Sequence, residues 1–244
     1  MKNITLTALA ILPFFVSCST DPDRPAPADN VKRVETAKLA QEVNFTNQTF
    51  ALTYNPDHTL DSAISDNGYY LLSYENGRIS NVSGEMEDQA FDVDFTYSGN
   101  MIAGVTVNGV AKVITYDPVQ KAYEVRDTAE SLAKVTYFLN GDADLKEVQS
   151  FGNQGNFIDG KIYYYDDMQK GPLFNANRVT VQLAIACKKQ ALYSCAFGGF
   201  RPFKHFAGAH NGPMIMNNTF DAEGYVIDSD DNEQNFATFS YANL

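Results

Sequence analysis

Phe50-Ala-Leu-Thr-Tyr54, Tyr70-Leu-Leu-Ser-Tyr74 and Val93-Asp-Phe-Thr-Tyr97 are three versions of one short phrase. Each places apolar side chains at every second position and closes on a tyrosine. Turn formers follow each one: Asn55-Pro56-Asp57, Glu75-Asn76-Gly77 and Ser98-Gly99-Asn100. Alternation with period two marks a strand that buries one face. A second, weaker apolar run follows each turn, so the phrase is the first half of a strand–turn–strand unit.

The unit recurs. The closing tyrosines Tyr54, Tyr74, Tyr97, Tyr116 and Tyr137 lie 19 to 23 residues apart, and Tyr165, Phe220 and Tyr241 continue the series. Leu52, Leu72, Phe95, Ile114, Val135, Tyr163 and Phe239 stand two positions before a closing residue. They therefore share its face of the sheet. Thr53, Ser73, Thr96, Thr115 and Thr136 fall between and point to the other face. Glu75-Asn76-Gly77-Arg78 and Val107-Asn108-Gly109-Val110 are hairpin signals, because Asn-Gly accepts the positive φ of the tight turns that match strand twist. A turn at each half-period makes sequence neighbours spatial neighbours. The expected fold is mainly β: one long, twisted antiparallel meander over residues 31–244. Residues 31–43 are ambiguous between helix and strand, and the repeat favours strand.

The pattern breaks between Met168 and Met216. Val179 to Phe197 is apolar around a polar patch at Lys188-Lys189-Gln190, with Val181, Ile185, Leu192 and Cys195 at helical spacing and Gly198-Gly199 as a stop. This predicts one helix over about 178–197, packed on the sheet; a hairpin of two buried strands is the alternative. On a continuous helix, eight residues would hold Cys187 and Cys195 roughly 12 Å apart and unbridged. In a hairpin they would close.

The N-terminus reads as an address. Ile4 to Val16 is an apolar run too short to span a bilayer and suited to the core of a signal peptide over residues 1–17. Phe15-Val-Ser-Cys18 resembles a bacterial lipobox, which implies lipidation at Cys18 and anchorage to a membrane. Residues 18–30 carry Pro22, Pro25 and Pro27 and form a semi-rigid tether. Asp21 and Asp23 loosely resemble the acidic export signal of surface lipoproteins, so a cell-surface or periplasm-facing position in the envelope is expected. The net charge of −12, with 18 basic against 30 acidic residues, offers no basic footprint for nucleic acid.

Thr53-Tyr-Asn-Pro-Asp57, Ser73-Tyr-Glu-Asn-Gly77, Thr115-Tyr-Asp-Pro118 and Thr219-Phe-Asp-Ala-Glu-Gly-Tyr225 resemble the tyrosine-aspartate (YD, RHS-type) repeat. With the lipobox and Ile162-Tyr-Tyr-Tyr-Asp-Asp-Met-Gln-Lys-Gly-Pro172, the chain resembles the DUF4595-type lipoproteins of Bacteroidetes. That resemblance implies a β-rich envelope protein and transfers no catalytic residue. Tyr97-Ser98 and Tyr137-Phe138 depart from it, which puts the register there in doubt.

Candidate sites are sparse. Arg201, Phe203, His205, Phe206 and His210 fall in an expected loop, where aromatic faces and polar groups would suit a sugar or a protein ligand. Zinc at His205 and His210 would need a distant third ligand such as His58. Asp228, Asp230 and Asn232 resemble the start of a calcium loop, but Glu233 stands where the loop needs glycine. No motif implies a cofactor. Val82-Ser83-Gly84 lacks the first glycine of a nucleophile elbow. Asp61-Ser62-Ala63 and Asp127-Thr128-Ala129 resemble the O-glycosylation acceptor triplet of Bacteroidetes. The leading expectation is a non-catalytic binding or scaffold module. Its rivals are a glycan hydrolase using an acid pair such as Asp166 and Asp167, and an accessory subunit of an envelope complex.

Overall fold

The computed structural model describes residues 37–45, 48–86, 88–187, 199–208, 214–230 and 235–244. They hold seventeen strands and one helix. The first nine strands are β1 (Lys38–Phe45), β2 (Gln48–Tyr54), β3 (Leu60–Ser65), β4 (Gly68–Glu75), β5 (Arg78–Met86), β6 (Gln89–Ser98), β7 (Met101–Val107), β8 (Val110–Asp117) and β9 (Ala122–Arg126). Then come β10 (Lys134–Leu139), β11 (Leu145–Phe151), β12 (Phe157–Tyr165), α1 (Thr180–Ala186) and β13 (Phe203–Gly208). The chain ends with β14 (Met214–Ile215), β15 (Asn217–Phe220), β16 (Val226–Asp230) and β17 (Asn235–Asn243).

From β1 to β14, and again from β15 to β17, each strand pairs antiparallel with the next. β14 and β15 continue one another across Met216, whose N–H bonds to Lys204 O at 2.7 Å. The predicted meander is therefore present, and it closes: β17 pairs with β1 from Lys38↔Asn243 to Phe45↔Ala237. The two Asn-Gly turns form as expected, with positive φ at Asn76, Gly77, Asn108 and Gly109. The strand expected over 31–43 is β1, shifted to Lys38–Phe45.

The ring encloses a packed apolar core. Phe50, Leu60, Tyr70, Val82, Val93, Leu145 and Ile185 are buried in one continuous cluster. Outward positions carry Asp61, Ser73, Glu85, Asp92, Asp94 and Thr96, all exposed. Asn81 Nδ2 holds the mid-strand carboxylates of Asp92 and Asp94 at 2.7 and 2.9 Å. A barrel that spans a bilayer is apolar outside and polar inside. This ring differs from that pattern: its interior is apolar, and its outward face mixes charged residues with exposed Ile64, Leu71, Val110 and Ile158.

The repeated tyrosines have a specific task. A one-residue bulge interrupts the ladder at Gln41, Asp61, Ser80, Lys146 and Ile227. Such a bulge disrupts ladder pairing locally. The carbonyl just before each of these bulges is met by a tyrosine hydroxyl from the next strand: Tyr54 to Ala40, Tyr74 to Leu60, Tyr97 to Ile79, Tyr165 to Leu145 and Tyr241 to Val226, at 2.6 to 2.8 Å. Phe220 has no hydroxyl, and Asn218 Nδ2 serves Phe203 O instead at 2.8 Å, before the bulge at Lys204. A belt of phenols thus tightens one rim of the ring.

The segment between β12 and β13 caps that rim. Asn175 Nδ2 donates to Lys38 O, Asn177 Nδ2 to Tyr74 Oη, and Arg178 Nε to Asp142 O. α1 packs on β5 and β6, burying Thr180, Val181, Leu183, Ala184 and Ile185. The helix is shorter than the predicted 178–197. Cys187 ends it at φ −125° and ψ 73°, and residues 188–198, including Cys195, lie outside the described residues.

Candidate functional site

The residues expected to form a ligand patch are not brought together. The segment read as a loop is β13, and strand alternation separates its side chains. Phe203 points inward and is buried. His205 faces out and stacks on Tyr164, with ring centroids 4.0 Å apart. Arg201 is committed to the cap, with Nε 3.0 Å from Asp142 Oδ2 and Nη1 3.0 Å from Gln169 O. Phe206 lies on β13 opposite Tyr163, and its side chain, like His210, lies outside the described residues. His58 sits in an exposed turn at φ +67°.

Asp228 and Asp230 lie on β16, paired with Thr238 and Asn235, so the acidic run is strand up to Asp230 where a calcium loop would need turns. Asn232 lies outside the described residues. Among the described residues no three acidic, His or Cys groups cluster as for a metal. Asp166 and Asp167 are consecutive turn residues after β12, and Asp166 Oδ1 accepts from Met168 N–H at 3.3 Å. Of the two acceptor triplets, Ser62 is buried in β3 and bonded to Thr53 at 2.7 Å, which withdraws it. Thr128 is exposed between β9 and β10.

A better-formed candidate site lies on the outer face of β8–β11. Thr115, Glu124, Thr136 and Gln149 are cross-strand partners there, while Tyr116, Tyr123 and Tyr137 beside them face the core. Of the five short polar residues expected to point outward, Thr53, Ser73, Thr96 and Thr115 are exposed, but Thr136 is 8% exposed. Its outer-face neighbour Ala122 is 4% exposed. The sheet is concave here, and the hollow is a cleft of about 340 Å³. Asp117, Gln120, Glu124, Lys134 and Gln149 line it with hydrogen-bonding groups; Phe138 and Phe151 supply ring faces.

Its charges are fixed. Glu124 accepts from Arg126 Nε at 2.6 Å and pairs with Lys134 Nζ at 2.5 Å. Lys134 Nζ also lies 5.1 Å from the centroid of Phe151. Burial works to raise the Glu124 carboxyl, but the bonds from Lys134 and Arg126 outweigh it and hold the group below its ordinary range. Gln149 Nε2 donates to Glu147 at 2.6 Å, which orients its amide. The sequence carried one trace of this site: Tyr137-Phe138, where the repeat's register came into doubt. Tyr137 lies mid-strand, and its buried hydroxyl has no partner among the described residues. Leu139 takes the strand-end position opposite Leu145 and its bulge.

No family model matches the chain, and no curated protein does. Among solved structures, it is similar to a porin-like protein from Bacteroides vulgatus, at a TM-score of 0.49 and 12% identity, covering 85% of this chain and 100% of that one. A porin-like protein from Bacteroides uniformis aligns at a TM-score of 0.34 and 10% identity, covering 86% and 98%. Both likenesses are too distant for a role to be read across from either.

Proposed function

We propose that this chain is a lipid-anchored envelope protein whose outer cleft binds a neutral glycan without cleaving it. The cleft carries the reading. It combines two phenylalanine faces with hydroxyl, amide and carboxylate groups already held in place, and its volume suits a small-molecule site of roughly 300–1,000 Å³. Rings and oriented polar groups together match a sugar, with its apolar face and hydroxyl edge. An ion-paired Glu124 held below its ordinary range suits acceptance of hydrogen bonds. It does not suit a general acid, which needs a raised pKa. The anchor rests on the lipobox at Cys18, and kinship with the DUF4595-type lipoproteins rests on the tyrosine phrases.

Titration of the full chain against neutral oligosaccharides tests the cleft. Gln149→Ala is expected to weaken binding about tenfold, the equivalent of one hydrogen bond, with no new reducing ends formed. Release of reducing ends, abolished by Glu124→Gln, would replace binding with hydrolysis. Mass spectrometry of Cys18 and protease treatment of intact cells test the address. A diacylglyceryl-modified Cys18 is expected, and an unmodified cysteine removes the anchor.

A further inference from the structure

We infer that the capped rim holds a second binding pocket, for a single neutral hydroxylated ring the size of one monosaccharide. It opens where the belt of phenols is interrupted. Along most of the rim a tyrosine ends each strand and its hydroxyl serves a bulge. At the end of β10 the residue is Leu139, and the hydroxyl is missing. Tyr123 on β9 instead reaches past β8 to β7, where its Oη accepts from Ile102 N–H at 3.3 Å. A pocket of about 160 Å³ remains between the rim and α1, walled by Tyr97, Ile102, Tyr123, Leu139, Val181 and Gln182.

The polar groups in its wall are asymmetric. Gln182 Nε2 lies 3.4 Å from Tyr97 Oη, which fixes the amide. Gln182 Oε1 is buried and has no hydrogen-bond partner among the described residues. A buried acceptor left unmet is unfavourable, and native structures rarely keep one. Tyr123 already accepts from Ile102, and its own proton is available to donate. Asn100, Ala143, Arg178 and Thr180 complete the lining, with the Arg178 guanidinium engaged by Asp142 O and the Phe200 ring. The pocket therefore offers the Gln182 acceptor, the Tyr123 donor, the Asn100 amide and two phenol faces beside the apolar Ile102, Leu139 and Val181. A ring with several hydroxyls fits that set; an anion would face Gln182 Oε1 unfavourably.

This pocket is separate from the outer cleft, which opens on the opposite face of the sheet. The two are tested separately. Saturation-transfer NMR with the full chain and methyl glucoside, methyl galactoside or N-acetylglucosamine at millimolar concentration provides the readout. Signal from at least one sugar is expected, and Gln182→Leu is expected to reduce its affinity about tenfold or more. The same variant should lose little thermal stability, because removal of the unmet acceptor offsets loss of the long 3.4 Å bond to Tyr97. Asn100→Ala, in an exposed turn, provides a second variant and should weaken the same sugar. Gln149→Ala in the cleft should leave this signal unchanged. No transfer from any of the three sugars, or transfer that survives Gln182→Leu and Asn100→Ala, overturns the inference. Loss of oligosaccharide binding in Gln149→Ala alone bears on the cleft and not on the pocket.

Discussion

Replacing Asp144 with alanine is expected to destabilise the protein by about 3 kcal/mol and to loosen the cap from the ring. Asp144 has no exposed surface. Its carboxylate accepts from the N–H of Phe200 at 2.8 Å and of Arg201 at 3.0 Å, and from Thr180 Oγ1 at 3.4 Å. One side chain in the β10–β11 turn thus gathers the start of α1 and the chain returning to β13. Alanine leaves those donors without their acceptor, at about 1–3 kcal/mol for each one shut away from water. Removal of a buried carboxyl offsets part of the sum. Chemical denaturation measures the loss, and hydrogen exchange at Phe200 and Arg201 locates it.

The same residue gives the effect a pH dependence. Burial pushes the Asp144 carboxyl up to about 6, against the hydrogen bonds from Phe200 and Arg201, which favour the charged form. An acid whose pKa is higher folded than unfolded binds its proton more tightly in the native state. Its contribution to stability is full below the unfolded value and is lost as pH rises through about 6. The difference between wild type and Asp144→Ala should therefore widen as pH falls from 7 toward 5. A difference that is flat or narrows over that range would show that burial does not dominate at Asp144.

Tyr74→Phe is expected to cost about 2 kcal/mol, more than the same change at Tyr97. Tyr74 Oη donates to Leu60 O at 2.6 Å and accepts from Asn177 Nδ2 at 2.9 Å, while Asn177 Oδ1 accepts from Leu60 N–H at 2.9 Å. The tyrosine and the asparagine together satisfy both backbone groups of the residue before a bulge. Loss of the hydroxyl leaves Leu60 O and the Asn177 amide short of partners. Tyr97 donates to Ile79 O at 2.8 Å, but its second contact, with Gln182, is 3.4 Å long. Its loss should cost about 1 kcal/mol. Equal losses at the two positions would mean that the cap adds nothing to the belt.

Alternation and turn chemistry made most of the ring legible. The phrases ending at Tyr54, Tyr74 and Tyr97 became β2, β4 and β6, and both Asn-Gly pairs became turns, because their signals are local. Closure was not legible, since pairing of β1 with β17 joins segments that share no sequence signal. The tyrosine hydroxyls were hidden for a related reason. Each acts on a carbonyl 14 to 20 residues earlier, and backbone groups carry no letter in a sequence. The cleft was missed because concavity depends on how the sheet curves between β8 and β11. The patch at Arg201 to His210 is not legible because the two prolines in residues 200–213 suggest a loop, whereas the ladder with β12 makes Phe203–Gly208 a strand.

Joining the first strand to the last has a consequence for how the chain is made. β1 is made before β2 to β16, and its second neighbour, β17, follows about 200 residues later, so β1 keeps a bare edge until β17 arrives. Early hairpins form from local contacts, but the closing pair must bring residues about 200 apart together, the slowest kind of contact. A ring built around one apolar core thus passes through a stage in which an open edge and an unclosed core are exposed together. That is the stage at which such a chain is most prone to aggregate.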